Sequence, residues 1–177
     1  MTTFNKLPPT SATNSAIKIL GIDPGYDRLG LAIIEKSLAG EKVLWSTCFT
    51  PPHRGNIEKR LEAIWIELKN TFATHTPDLV GIEAVFAEHN VSTVIGVAQV
   101  IGLVRAQAFD HHIEVHTFTP LQIKAAVTGN GRASKADMNK MTRLLVNIGD
   151  KKTLDDEMDA IAVALTTSAH LKNIKPV

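Results

Sequence analysis

The chain has one cysteine, no long apolar run and almost no net charge, and each lack excludes something. With Cys48 alone among 177 residues, no disulfide can form within the chain and no cysteine-built metal centre is available, which fits a reducing compartment. No stretch reaches the roughly 18 consecutive apolar residues that a membrane span requires. Nineteen Lys and Arg against eighteen Asp and Glu leave a formal charge of +1. That balance does not decide for or against a nucleic-acid partner, because a basic face can be offset by acidic residues elsewhere. The first 16 residues are rich in Thr, Ser, Asn and Pro and contain no apolar stretch of signal-peptide type, so they are expected to form a flexible tail, as are residues 172–177. Internal repeats and a second domain are also missing. At this length, with 44% hydrophobic residues, residues 17–171 suffice for a single domain with a substantial core.

Ile17 to Asp23 is a continuous apolar run that ends in an acid, and it predicts a buried strand. The turn residues Pro24-Gly25 join it to a second strand, Gly30 to Glu35, and Lys42 to Thr50 makes a third; short connections suggest an antiparallel meander. Asn56 to Ala73 has helical spacing, with Ile57, Leu61, Ile64, Trp65 and Leu68 on one face. Leu79 to Glu83 follows as a strand, Val91 to Phe109 as a long helix, and Ile113 to Phe118 as a strand. Thr119-Pro120 reads as an N-cap with proline at the first helical position, opening a short helix that Gly129 stops. Ser134 to Asn147 and Asp155 to Leu171 complete the helices.

Four carboxylates can converge in such a chain. Asp23 and Glu83 each close an apolar strand, while Asp156 and Asp159 lie three apart at the start of the last helix and so point from nearly the same face. Burying ionised carboxylates side by side costs several kcal/mol each unless a cation accompanies them. All-oxygen ligands select a hard divalent ion, Mg²⁺ or Mn²⁺. Paired ions roughly 3.5–4 Å apart activate water on one side of a phosphodiester and stabilise the leaving oxygen on the other, so the acids point to nucleic-acid cleavage. Taken singly, Asp23 before Pro-Gly also suits a plain turn, and Asp155 or Asp156 also suits a helix cap; Asp155 with Asp159 shares a face as well.

Basic residues gather between the last strand and the final helix: Lys124, Arg132, Lys135, Lys140, Arg143, Lys151 and Lys152. They suit either a phosphate-facing surface or an ordinary solvated helix face. The helix from Val91 to Phe109 is apolar almost all round, and Ala98, Gly102 and Ala106 form a ridge of small residues that admits a second helix closely. One face is expected on the sheet and the other on a twin in a two-fold dimer; the alternative is burial wholly within one chain.

Gly21-Ile22-Asp23-Pro24-Gly25, Ile82-Glu83-Ala84-Val85-Phe86, Lys124 with Gly129-Asn130-Gly131-Arg132-Ala133-Ser134-Lys135, and Asp156-Glu157-Met158-Asp159-Ala160-Ile161-Ala162 occur together in this order. The chain resembles the RuvC family of bacterial Holliday junction resolvases from Ile17 to about Leu171. The resemblance implies an α/β, RNase H-like fold with a mixed five-stranded sheet, three antiparallel strands then two parallel, flanked by helices. It implies a cytoplasmic homodimer that cuts opposed strands of four-way junction DNA with Mg²⁺, two ions per active site, and it leaves open delivery by a branch-migration helicase. Asp23, Glu83, Asp156 and Asp159 take the positions of metal-binding carboxylates. Lys124 and Lys135 match basic residues beside the scissile phosphate, and Arg132 lies in the same basic segment. Phe86 matches an aromatic that stacks on a nucleotide, although aromatics are as often core.

The chain departs from the family at Leu29, where Thr is usual, and at Gln99-Val100-Ile101-Gly102, which lacks an arginine. Such changes bear on DNA contacts rather than on the acids. Rival readings are an actin-like or sugar-kinase ATPase, which needs two lobes, another RNase H-like nuclease acting on RNA or simpler branches, and a non-catalytic junction-binding module.

Overall fold

The computed structural model describes residues 16–52, 56–85, 91–146, 148 and 152–171. The expected terminal tails lie outside the described residues apart from Ala16, and so does Phe86. Strands β1 (Ile17–Asp23), β2 (Leu29–Ser37) and β3 (Gly40–Phe49) are followed by helix α1 (Ile57–His75), strand β4 (Leu79–Glu83), helix α2 (Val91–Asp110) and strand β5 (Glu114–Phe118). Helices α3 (Pro120–Thr128), α4 (Lys135–Val146) and α5 (Asp155–Leu171) complete the order. The five strands form one sheet in the order β3-β2-β1-β4-β5, antiparallel through β3, β2 and β1 and parallel through β1, β4 and β5.

The central strands read as unbroken apolar runs because both faces of the sheet are covered. Side chains alternate along β1: Ile19 enters the core beneath α5, α3 and α4, while Leu20 and Ile22 enter the core beneath α1 and α2. Gly21 and Asp23 share the Ile19 face, and by the same parity Gly81 and Glu83 share the Leu79 face. The acids at the ends of β1 and β4 therefore look toward α5.

Helix α5 comes unusually close to the sheet. A Cβ on Gly21 would collide with the Ala160 carbonyl and the Ala164 backbone, one on Gly30 with the Asp156 carbonyl, and one on Gly81 with the Thr167 hydroxyl. Glycine is required at these positions for want of space rather than for its dihedral freedom. The helix is buried continuously from Met158 to Ser168 except at Asp159, the residue that faces the site. Ser46 of β3 donates to the buried Glu157 carboxylate and anchors the first turn.

The caps follow local chemistry. The Asn56 side chain accepts from the Lys59 N–H at 2.8 Å, and Thr119 and Gln122 form a reciprocal capping box ahead of Pro120. Gly129 ends α3 at φ 76°, in the left-handed region that glycine occupies without steric cost. In α2, Val100, Val104, Gln107 and Ala108 are buried, whereas Ala98, Gly102 and Ala106 are exposed between Ile95 and Phe109. Among the described residues nothing covers this face of the helix, and a Cβ on Gly102 would meet nothing within 4 Å.

Candidate active site

Asp23 and Glu83 stand side by side because β1 and β4 pair in parallel, with Ile22 opposite Ile82, so both runs end at the same edge of the sheet. Parallel strands present their C-terminal ends together, and ligands bind there in open α/β sheets. Helix α5 brings Asp156 and Asp159 over the same edge. A cleft of about 590 Å³ opens beside Asp23 and Glu83 between Val85, Thr93 and Val97 on one side and Thr119, Pro120 and Leu121 on the other. A second hollow of about 230 Å³ shares Glu83 and adds Lys124, Lys135 and Asp159. Sequence-distant acids and two lysines thereby line two neighbouring hollows that share Glu83 and Pro120.

Electrostatics show how crowded the acids are. Burial pushes the Asp23 carboxyl up to about 7, and the charges of Glu83, Asp159 and Asp156 add to the effect against the opposing Lys135. Glu83 is raised to about 7 by burial and then by Asp159, with Lys124 and Lys135 pulling the other way. Asp159 is also raised by burial, opposed chiefly by Lys135. Burial disfavours the Lys135 ammonium, but its hydrogen bond to Asp155 and the charges of Asp159, Asp155 and Asp156 outweigh that and raise its affinity for a proton. Desolvation and like charge act together on the strand acids, the pattern expected of a site built for a cation.

The helix acids have cationic partners. The Arg28 guanidinium forms an ion pair with Asp156 Oδ2 at 3.0 Å, and the Cys48 thiol donates to the same oxygen at 3.6 Å. Burial, followed by the charge of Asp156, pushes that thiol up to about 11, so it stays a neutral donor. Lys135 Nζ stands 3.1 Å from Asp155 and 3.7 Å from Asp159. Asp155 is 61% exposed and Asp156 only 16%, so Asp156 is the one turned inward toward Asp23 while Asp155 faces out. Arg132 is exposed on the turn between α3 and α4 and borders neither hollow; its backbone N–H donates to the Asn130 side chain.

An all-carboxylate donor set at one sheet edge fits a hard divalent cation. Among the described residues, no three His, Cys, Asp or Glu side chains are gathered tightly enough to hold one ion in this arrangement. In this arrangement Asp156 is paired with Arg28 at 3.0 Å, and Lys135 stands 3.7 Å from Asp159. Arg28 and Cys48 are contacts that motif reading missed. The readable signal was the strand register, since Asp23 pairs with Gly30 and Gly30 with Cys48, which brings the β1–β2 turn and β3 to the same end of the sheet.

Comparison with known proteins places this fold in a family. Residues 19–167 match the family model for crossover junction endodeoxyribonuclease RuvC. A protein of that name from Mycobacterium sp. (strain KMS) is 39% identical over 151 residues, covering 84% of this chain and 81% of its own; one from Mycobacterium leprae is 37% identical over 150 residues, covering 84% and 80%. Thermus thermophilus RuvC in complex with a Holliday junction substrate superposes with a TM-score of 0.82 at 24% identity, covering 89% of this chain and 96% of that one. The yeast mitochondrial Holliday junction resolvase Ydc2 superposes with a TM-score of 0.66 at 12% identity, covering 89% and 81%, which shows a shared fold. By its matched family model and by identity extending over four-fifths of its relatives' length, this chain belongs to the RuvC crossover junction endodeoxyribonuclease family.

Proposed function

We propose that this chain, through a nuclease domain spanning residues 17–171, resolves four-way DNA junctions by paired symmetric nicks in the cytoplasm. The reading is carried by one observation: Asp23, Glu83 and Asp159 line two hollows that meet at Glu83, Lys124 and Lys135 line the second, and the Asp156 carboxylate is near enough to act on Asp23. Asp23, Glu83, Asp156 and Asp159 would hold Mg²⁺, or Mn²⁺, with two ions per site. Such ions, held by these four carboxylates, would supply activation of water and stabilisation of the leaving oxygen.

The protein's own groups do the rest. The strand ends fix Asp23 and Glu83 on rigid backbone, so their oxygens are placed before substrate arrives. The raised proton affinity of these two acids disfavours their charged forms, and a bound cation reverses that preference. Lys135 and Lys124 are placed to offset the charge that develops on phosphate oxygens. Arg132 and the aromatic ring of Phe86 are assigned to the DNA surface beyond the reacting phosphate.

A single site cuts one strand, whereas a junction needs two opposed cuts. A two-fold dimer through the exposed Ala98-Gly102-Ala106 face of α2, flanked by Ile95 and Phe109, supplies two sites about one axis. The small side chains allow backbones to approach closely, and the apolar flanks provide area to bury.

The test is incubation of the full chain with a synthetic four-way junction, a plain duplex and an RNA–DNA hybrid, with and without Mg²⁺, followed by mapping of the nicks. Paired symmetric nicks confined to the junction and dependent on the ion are expected. Equal cutting of the duplex or the hybrid would move the assignment to another nuclease of the same fold.

A further inference from the structure

Arg28 is the charged group in the site that neither the motifs nor the proposed chemistry explains. It lies in the turn between β1 and β2, its side chain 53% exposed, and its guanidinium is ion-paired with Asp156 Oδ2 at 3.0 Å. The oxygen it takes belongs to a proposed ion ligand. Lys135 keeps Asp159 company at a longer 3.7 Å and points mainly at Asp155, so Arg28 makes the tighter hold on an inward-facing acid.

We propose that Arg28 is an exchangeable latch on Asp156: it occupies the carboxylate until DNA binds, then moves to a phosphate oxygen of the strand being cut and frees Asp156 for the divalent ion. The inference rests on the metal-dependent reading above. Three features support it. A guanidinium suits oxyanions that offer two acceptor oxygens to its fork, and a phosphate does so as a carboxylate does. The half-exposed side chain has room to swing, whereas a buried one would be trapped. And the turn itself is held from behind, with Asp27 paired to Arg60 and Tyr26 packed on Gly96, so Arg28 can move without the backbone following. The neutral Cys48 thiol remains as a donor to Asp156 when the guanidinium leaves.

The latch predicts an unusual pairing of effects. In the full chain without DNA, Mn²⁺ binding followed by electron paramagnetic resonance should be about three- to tenfold tighter in Arg28→Met than in wild type, because a competitor for Asp156 is gone. With a four-way junction and saturating Mg²⁺, the same variant should cut roughly tenfold more slowly and need more DNA to saturate, because a phosphate contact is gone. Arg28→Lys, which keeps the charge but not the fork, should fall between on both measures. A residue that merely braced Asp156 would weaken Mn²⁺ binding when removed. Unchanged or weaker Mn²⁺ binding in Arg28→Met therefore overturns the latch, and so does unchanged cutting. Asp23→Asn separates this from failure of the metal reading: if wild type and Asp23→Asn bind Mn²⁺ alike, the ion site is wrongly placed and the latch falls with it.

Discussion

Asp23 and Glu83 end strands β1 and β4, whereas Asp156 and Asp159 stand on the first turns of α5, and the two pairs manage their charge differently. The strand acids lose water to the surrounding core and are pushed up to about 7. On the helix, Asp156 pairs with Arg28, while Asp159, itself raised by burial, has Lys135 at 3.7 Å as its chief opposing charge. One half of the site is held rigidly by the sheet and is electrostatically uncomfortable; the other half is provisionally satisfied and adjustable. A cation entering the depression would relieve the first pair directly and would have to win the second from side chains already there.

The largest expected break in that comparison comes from the strand side. Glu83→Gln keeps the shape and removes one ligand charge, so junction cutting should fall by roughly a thousandfold or more while junction binding changes little. Wild-type cutting by this variant would remove Glu83 from the ion-binding set. The next largest tests how α5 is delivered. Gly30→Ala drives a methyl into the Asp156 carbonyl, and chemical denaturation should show a loss of about 2–3 kcal/mol, since neither backbone can give way cheaply.

Asp23→Asn sharpens the contrast in charge. The folded-state value of Asp23 is about 7, above its ordinary 3.8, so the native chain binds more protons than the unfolded one between about pH 4 and 7. Stability contributed by this group is present at low pH and is lost as pH rises through that window. In EDTA at pH 8 the asparagine variant should therefore be more stable than wild type by about 1–3 kcal/mol, and the difference should shrink toward pH 4. Equal denaturation midpoints at both pH values would mean that Asp23 is not under the strain described. The smallest effect is expected from Asp155→Asn: its exposed carboxylate touches only the outer side of Lys135, and cutting should change less than about threefold. Asp156→Asn, by contrast, should abolish it.

Much of this was legible because it was local. β1, β4 and α5 begin and end as the sequence predicts, since each combines an apolar run with an acid or a cap at its boundary. β2 extends beyond its expected limits at both ends, and β3 starts two residues before Lys42 and stops at Phe49, one before Thr50. Lys36, Ser37 and Gly40 pair through ladder hydrogen bonds that hydrophobic patterning does not report. Helix α1 runs on to His75 because Thr76 takes the left-handed conformation at φ 47° without the glycine that normally signals it. The four acids could be named in advance, yet Asp155 and Asp156 share one helical turn, and only the approach of α5 to Gly30 shows which of them faces in. Arg28 and Cys48 were invisible as site contacts because they reach Asp156 across the sheet, through strand register rather than through any contiguous motif.

The claim on which the rest depends is that these acids jointly hold a hard divalent ion at the edge of β1 and β4. Anomalous diffraction from crystals of the full chain soaked in Mn²⁺ tests it directly. The account predicts a peak with oxygens of Asp23 and Glu83, and of at least one of Asp156 and Asp159, within about 2.0–2.4 Å. A soaked crystal with no such peak, or with Mn²⁺ bound only at other residues, would contradict it.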